Sequence, residues 1–231
     1  MLIKDGNVTQ DFWQLDLGKN KLGNKGIEAL AKGIQNSKSL ASLDLGSNDI
    51  MNEGSSILFK SLAQSTSLVH LNIANHDRLH RNRLGIQACT DLCNLLLENK
   101  IINILNISDN RIGNQGLKAL EPALTKDCSL ISLSLSNNNL DGNGATTILT
   151  RYLSSNRTII KIDLSTNNIG DEALVPISDA LSENLIRIKH LIMEGCKFTT
   201  EGFLQLSIAL RTNGYLKELE LGHNSFFLPP K

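Results

Sequence analysis

The sequence predicts an α/β solenoid of stacked units, each made of a short strand and a helix. Three observations support this fold class. A short segment with apolar residues at alternate positions recurs eight times along the chain, at a nearly constant interval. In most copies an asparagine follows this segment at a fixed distance. A stretch with helical periodicity then leads to the next copy.

The repeat unit is defined by a pair of apolar residues in the pattern L-x-L. The first residue of the pair lies at positions 15, 43, 71, 105, 133, 162, 191 and 219, and the longest interval separates the third copy from the fourth. This alternation has the two-residue period of a short strand with one buried face. Eight copies indicate stacked units, because each unit buries its apolar face only against its neighbours.

Each strand segment is followed by a predicted helix. In the fourth copy, Leu117, Leu120 and Leu124 are spaced by three and four residues, which places them on one helical stripe. Glycine occurs at one and the same place of the unit in five copies, at positions 26, 54, 116, 144 and 202. We expect the start of the helix to run close to a neighbouring turn at these positions, where a side chain would clash.

The recurrent asparagine lies where the chain leaves the strand. Its amide can donate and accept hydrogen bonds at the exposed backbone of adjacent turns. The predicted ladder contains Asn20, Asn48, Asn110, Asn138, Asn167 and Asn224. Cys196 interrupts it, and either His76 or Asn82 fits the slot in the third copy. Asparagine is also plentiful outside the ladder, and we interpret that excess as a bias of an AT-rich coding genome.

The full unit, L-x-x-L-x-L-x-x-N-x-L followed by a helical stretch, resembles the leucine-rich repeats of the ribonuclease-inhibitor type. The resemblance covers residues 12–228. It implies a horseshoe-shaped leucine-rich-repeat solenoid of about eight repeats, with a parallel β-sheet on the concave face and helices on the convex face. Protein binding is the usual function of this family. Similar arrays occur in Ran GTPase-activating proteins, tropomodulin-like actin binders and NOD-like receptors.

The whole chain, residues 1–231, is predicted to be a single leucine-rich-repeat domain. Residues 1–11 form a lead-in, residues 12–228 the eight repeats, and an insertion lies near 75–83. Few residues follow the last strand segment, and terminal repeats need a polar outer face. Two alternatives stay open: the last strand and the prolines after it cap the stack, or the sequence is part of a longer protein.

Composition excludes several classes of protein. With 23 basic and 23 acidic residues, the chain has no overall field that attracts nucleic acid or a membrane surface. No apolar run approaches the ~18 residues of a membrane span. Nucleotide-binding, hydrolase and metal motifs are absent from the sequence, so we expect a non-enzyme without cofactor or metal. The four cysteines show no disulfide framework and predict buried thiols in the cytoplasm, or in the host cytosol for a microbial effector.

The residues before, between and after each L-x-L pair are expected to face the concave surface. None of these positions is aromatic, and one is lysine. Six are acidic: Asp16, Asp44, Asp163, Glu194, Glu218 and Glu220. The acidic bias predicts a basic patch on a partner, although solvated sheet residues are the alternative interpretation. High-affinity interfaces usually depend on Trp, Tyr or Arg, so high-affinity binding by this surface is not expected.

The insertion in the third repeat adds six residues within positions 75–83. It carries Arg78, Arg81 and Arg83, and arginine suits bidentate contacts with carboxylates or phosphates. We expect a basic knob at the strand-to-helix edge, with a tolerated loop as the alternative. His76, Asp77 and His80 give only weak evidence for a metal site.

These features predict a non-enzymatic protein–protein interaction module that binds a protein partner through its concave sheet and the arginine-rich loop. A monomer is favoured, and the partner is not identified. The alternatives are a GTPase-regulating protein resembling Ran GTPase-activating proteins, the ligand-sensing array of a larger signalling receptor, or a host-directed microbial effector.

Overall fold

The computed structural model describes residues 13–75 and 79–226. Eight three-residue strands form one parallel sheet, in which the order across the sheet is the order along the chain. They are β1 (Gln14–Asp16), β2 (Ser42–Asp44), β3 (His70–Asn72), β4 (Ile104–Asn106), β5 (Ser132–Ser134), β6 (Lys161–Asp163), β7 (His190–Ile192) and β8 (Glu218–Glu220). The predicted solenoid is confirmed, and each strand is centred on the first residue of an L-x-L pair.

Helical segments connect consecutive strands across the convex side. In the described part of the chain they are α1 (Gly23–Ile34), α2 (Asn52–Leu62), α3 (Ile86–Glu98), α4 (Gly113–Ala119), α5 (Glu121–Leu124), α6 (Gly142–Thr146), α7 (Leu153–Ser155), α8 (Leu174–Ser182) and α9 (Thr200–Ala209). A π-helical segment, Thr147–Tyr152, joins α6 to α7, and a 3₁₀ turn, Asp171–Ala173, precedes α8. A π-helix can accommodate one extra residue, which suits the fifth repeat because it is one residue longer than the fourth.

The strands are in the register that the repeat predicts. The central residue of each strand pairs with its counterpart, as Leu105 pairs with Leu133 and Leu133 with Ile162. Leu133 and Leu135 point inward and are buried in one continuous core with the apolar face of the helices. Leu15 and Leu219 are only partly buried, because β1 and β8 each have a described neighbouring strand on one side only.

The asparagine ladder is confirmed. The Oδ1 atom of Asn138 accepts hydrogen bonds from the backbone N–H of Asn110 at 2.9 Å and of Ile112 at 3.3 Å. Its Nδ2 atom donates to the carbonyl of Ile107 at 2.9 Å and to that of Ser136 at 3.3 Å. The side chain is fully buried, yet both ends of its amide are satisfied by backbone groups. Each ladder amide of this kind therefore fastens one repeat to the preceding one.

Two irregular rungs are resolved by the structure. Asn82 fills the slot of the third repeat, since its Nδ2 atom donates to the carbonyls of Leu45 at 2.9 Å and Ile73 at 3.1 Å. The alternative, His76, lies outside the described residues. Cys196 occupies the seventh slot, and its thiol is a weak donor to the carbonyls of Leu164 at 3.4 Å and Glu194 at 3.6 Å.

Further asparagines also connect repeats. At the start of the helices, the Oδ1 atom of Asn24 accepts from the amide of Met51 at 3.0 Å, and that of Asn52 from the amide of Gly85 at 2.7 Å. In the turns before the strands, the Nδ2 atoms of three more asparagines donate to backbone carbonyls of the preceding repeat: Asn99, Asn156 and Asn213. Interpreting the excess asparagines as genomic bias overlooked this structural use.

The glycines at the helix starts lie in close contacts, as predicted. A Cβ atom on Gly54 would lie 2.7 Å from Oδ1 of Asn24 in the preceding repeat, and one on Gly202 would collide with the carboxylate of Asp171. At Gly26 the nearest atom belongs to Leu22 of its own repeat, at 2.8 Å. Glycine therefore lets the helix starts of successive repeats stack closely.

Replacing Leu133 by alanine should destabilise the protein by about 2–5 kcal/mol, because the mid-stack cavity cannot collapse. Equilibrium unfolding in urea measures this change. Ile131→Ala is the control, since Ile131 precedes the same strand and is 42% exposed. Equal losses of stability in the two variants would contradict the assignment of Leu133 to the core.

Candidate functional site

Two of the predicted acidic residues lie at the N-terminal end of the concave face. The Oδ1 atom of Asp16 accepts from the amide of Gly18, and that of Asp44 from the amide of Gly46, both at 2.8 Å. The second oxygen of Asp44 accepts from Nδ2 of Asn72 at 2.7 Å. These carboxylates close the turn that ends each strand, in the way that aspartate side chains often bond the backbone two residues on.

Asp163, at the end of β6, closes the turn after its strand in the same way. Its Oδ1 atom accepts from the amide of Ser165 at 2.9 Å, and its Oδ2 atom from the hydroxyl of Ser134 at 2.9 Å. The hydroxyl of Ser134 lies 2.7 Å from that of Ser108. A line of polar contacts thus crosses β4, β5 and β6, and the carboxylate of Asp163 is part of it.

The glutamates at the C-terminal end of the sheet form a different arrangement. His190 on β7 lies between two carboxylates of β8, with Nδ1 3.0 Å from Oε2 of Glu218 and Nε2 2.5 Å from Oε1 of Glu220. The side chains of Glu218 and Glu220 are 67% and 48% exposed. Glu194 lies next to them, against Gly222. We call Glu194, Glu218, Glu220 and His190 the C-terminal cluster.

The sheet therefore brings together only part of the predicted acidic surface. Because strand order follows the chain, Asp16 and Asp44 lie at the opposite end from the C-terminal cluster, with Asp163 between them. Sequence reasoning placed His190 on this face without assigning it a role. The signal was available, since the repeat register sets His190 directly opposite Glu218.

The base of the insertion in the third repeat is fixed by two asparagines. The amide of Asn82 donates to Oδ1 of Asn75 at 2.7 Å, and Nδ2 of Asn75 donates to the carbonyl of Asn82 at 2.9 Å. In the regular rungs of the ladder, the equivalent backbone amide donates to the next ladder asparagine, as that of Asn48 does to Asn82. In the third repeat, the amide of Asn82 donates to Asn75 and not to Asn110. The buried Oδ1 atom of Asn110 therefore has no hydrogen-bond partner among the described residues.

The loop contacts the turns on both sides of it. A guanidinium nitrogen of Arg81 lies 2.5 Å from Oδ2 of Asp109 in the fourth repeat, and Nδ1 of His80 lies 2.9 Å from Oδ2 of Asp49 in the second. Arg83 is exposed, and Arg78 lies outside the described residues. The expectation of a free basic knob is wrong for Arg81, whose side chain is 22% exposed and paired with a carboxylate.

A further group of charged contacts lies on the helical side. A groove between α4 and the π-helical segment contains Glu121, whose carboxylate binds the guanidinium of Arg151 at 3.0 Å and the hydroxyl of Tyr152 at 3.3 Å. Burial, and then the charge of Glu121, raises the pKa of Tyr152 above its usual value. These charges are thus satisfied mainly within the chain.

The four cysteines are buried free thiols, as predicted. Burial raises the pKa of Cys89 to about 12 and that of Cys196 to about 11. A thiol whose pKa is raised by apolar surroundings forms little thiolate and is a poor nucleophile. Within residues 13–75 and 79–226, no three His, Cys, Asp or Glu side chains are grouped so that they could hold a metal ion. No helix in the same residues is both long and apolar enough to span a membrane.

Five segments of the chain, residues 14–31, 36–56, 98–120, 126–149 and 155–178, match a family model described as Leucine Rich repeat. The chain belongs to the leucine-rich-repeat proteins. It is 28% identical to a ribonuclease inhibitor of Mus musculus over 212 residues, which cover 91% of this chain and 39% of that protein. This relative supports the assignment of the repeats to the ribonuclease-inhibitor-like type.

Other leucine-rich-repeat relatives are much longer. "NACHT, LRR and PYD domains-containing protein 9" of Bos taurus is 29% identical over 142 residues, which cover 61% of this chain and 14% of that protein. The chain thus spans between about one seventh and two fifths of these relatives. A solved structure, "Leiomodin-1 Actin-Binding Site 2 (ABS2)", aligns with a TM-score of 0.42 and 10% identity, covering 66% of this chain and 69% of that one.

The thiols of Cys89 and Cys196 in the leucine-rich-repeat core should resist alkylation at pH 8, because their raised pKa leaves almost all of each group protonated and burial blocks access. Iodoacetamide labelling followed by peptide mass mapping measures this. Labelling of the urea-unfolded protein is the control and should reach both cysteines. Rapid modification of either one in the folded protein would contradict its burial.

The contact between Arg81 and Asp109 should contribute about 1–2 kcal/mol to the stability of the repeat stack, as expected for a half-buried ion pair. A double-mutant cycle with Arg81→Ala and Asp109→Ala, read by urea unfolding, gives this coupling energy. A second cycle on the exposed helical pair Glu28 and Lys32 is the control and should give a smaller coupling energy, because solvent screens that pair. Additive effects of the first two substitutions would show that the pair is not coupled.

Proposed function

We propose that this leucine-rich-repeat chain is a non-enzymatic protein–protein interaction module. Its concave sheet binds a protein partner, and the loop of the third repeat takes part. The observation that carries the proposal is the C-terminal cluster, an exposed charged group on a rigid sheet. Binding through exposed polar residues on a rigid scaffold is a common way for a fold to carry recognition. Membership of a repeat family that generally binds proteins agrees with this function.

The C-terminal cluster suits a basic partner. His190 contacts one oxygen of Glu218 and one of Glu220, and the exposure of both side chains leaves their other oxygens open to solvent. Lysine and arginine side chains of a partner can bind these oxygens through charge-assisted hydrogen bonds. His190, Glu218 and Glu220 of the cluster lie on strands and not on a loop, so binding requires little reordering of the chain.

The affinity is expected to be moderate and dependent on salt. The concave face has no Trp, Tyr or Arg among the positions along its strands, and these residues supply most of the binding energy in tight interfaces. Charged contacts at an exposed surface mainly increase the association rate and the specificity. Salt screens such contacts. The proposed interaction is therefore of the transient, electrostatically guided kind.

The proposed location is a reducing compartment such as the cytoplasm. The support is that all four cysteines are buried as free thiols, which agrees with the cysteine usage of intracellular proteins.

A second candidate function is the repeat array of a larger signalling receptor. It is favoured by the relatives whose printed names include NACHT and PYD domains, of which this chain matches about one seventh. An immunoblot of the native protein tests this candidate. A band well above 25.3 kDa would support it, and a band at that mass would contradict it.

Reversing the charge of the C-terminal cluster should remove the partner. We expect Glu218→Lys with Glu220→Lys to lower recovery of the captured protein from cell lysate by about tenfold, since the new lysines repel a basic patch. The control combines Glu183→Lys with Glu201→Lys, which changes net charge equally at exposed positions on the convex side. Quantitative mass spectrometry of the captured proteins gives the recovery, and circular dichroism checks folding. Equal recovery by both variants would contradict binding through the concave face.

A further inference from the structure

The residue that follows the ladder asparagine forms a row along the strand-to-helix edge of the stack. In order, the row contains Lys21, Asp49, Arg83, Arg111, Asn139, Asn168, Lys197 and Ser225. Only one pair of consecutive repeats carries a cation at this position in both members, and these cations are Arg83 and Arg111. Stacked repeats are about 5 Å apart where their strands pair, so these two side chains start from neighbouring positions.

The acidic residues near this pair are already engaged by the insertion. Asp49 is bound by His80 at 2.9 Å, and Asp109 by Arg81 at 2.5 Å. The four side chains of these contacts are between 17% and 35% exposed. The loop thus supplies a partner to the carboxylate in the turn on each side of it.

Arg83 and Arg111 are left as the outward-facing charges of the edge. Both are exposed, and neither has a carboxylate within 4.0 Å in the described part of the chain. A guanidinium presents its donors in a planar fork that matches a carboxylate, and two adjacent forks can bind one carboxylate or two consecutive ones. Leu79 in the same loop is 68% exposed and can add an apolar contact.

The edge is held in place before any ligand arrives. The reciprocal bonds of Asn75 and Asn82 close the base of the insertion, and the contacts of His80 with Asp49 and of Arg81 with Asp109 fix its second half to both flanking turns. A preformed surface loses little conformational entropy on binding, which raises the affinity that two charged contacts can supply.

We propose that the strand-to-helix edge of repeats three and four is a docking surface for an acidic peptide segment of a partner protein, with Arg83 and Arg111 binding its carboxylates. The inference rests on the proposed protein-binding function and adds a contact of opposite sign to the C-terminal cluster. Two arginines on a chain of zero net charge fall well short of the ~6–10 phosphate contacts typical of DNA binding.

An oligoglutamate peptide carrying a fluorescent label tests the proposal by anisotropy at low ionic strength. The parent chain should bind the peptide, and Arg83→Glu with Arg111→Glu should weaken binding by about tenfold or more, because two attractive contacts become repulsive. The matched control is Lys21→Glu with Lys197→Glu, which reverses two cations in the same row of the stack. It should change the dissociation constant by about twofold or less.

Three outcomes would overturn the proposal. The first is that the parent does not bind the peptide, and the second is that both double variants weaken binding equally, which would show a non-specific charge effect. The third is tighter binding of a DNA duplex, or of phosphatidylcholine vesicles containing phosphatidylserine, lost in the arginine variant. Circular dichroism of each variant confirms folding.

Partner capture by the arginine variant and by the cluster variant distinguishes failure of the edge proposal from failure of the concave-face proposal. If the arginine variant still captures the partner and the cluster variant does not, the edge proposal fails and the concave-face proposal stands. If only the arginine variant loses the partner, the edge proposal is supported and the concave-face proposal fails.

Discussion

The buried asparagine amide between successive repeats is the interaction on which the rest of the structure depends. A chain that leaves a three-residue strand exposes backbone groups that no regular ladder can pair, and burying them unpaired would cost about 1–3 kcal/mol each. Asn138 and its equivalents satisfy these groups from the neighbouring repeat. The same bonds fix the spacing and register of the repeats, so the leucines meet in one core and the polar residues between them align on the concave face.

The insertion in the third repeat is the place where this interaction fails. The amide of Asn82 turns to Asn75, and a buried oxygen of Asn110 is left without a partner among the described residues. The contacts of Arg81 with Asp109 and of His80 with Asp49 still join the insertion to the repeats on both sides, although Nε of Arg81 is itself buried without a hydrogen-bond partner among the described residues. A local loss of hydrogen bonding that the surrounding contacts maintain is a reason to look for function at the site. The proposed docking edge is built on this irregular rung.

Charge in this protein is organised locally, since the whole chain is neutral. The aspartates on the concave face serve as turn-closing acceptors, as Asp44 shows, whereas Glu218 and Glu220 project into solvent. The basic pair at the edge and the acidic cluster at the C-terminal end are therefore separate surfaces with opposite preferences. Because the chain has no net charge, electrostatic attraction of the proposed partner would come from these two local surfaces.

The sequence by itself determined the period, the strand register, the ladder and the core, because each follows from residue spacing that is repeated eight times. It also located the insertion and, through the L-x-L positions, the residues of the concave face. Only the tertiary structure decided how charged side chains pair. Arg81 meets Asp109 in the next repeat, and His190 meets Glu218 and Glu220 on the neighbouring strand. The repeat register places His190 opposite Glu218. Whether two such neighbours pair still depends on side-chain direction and on which neighbour competes for each donor, and spacing along the chain encodes neither.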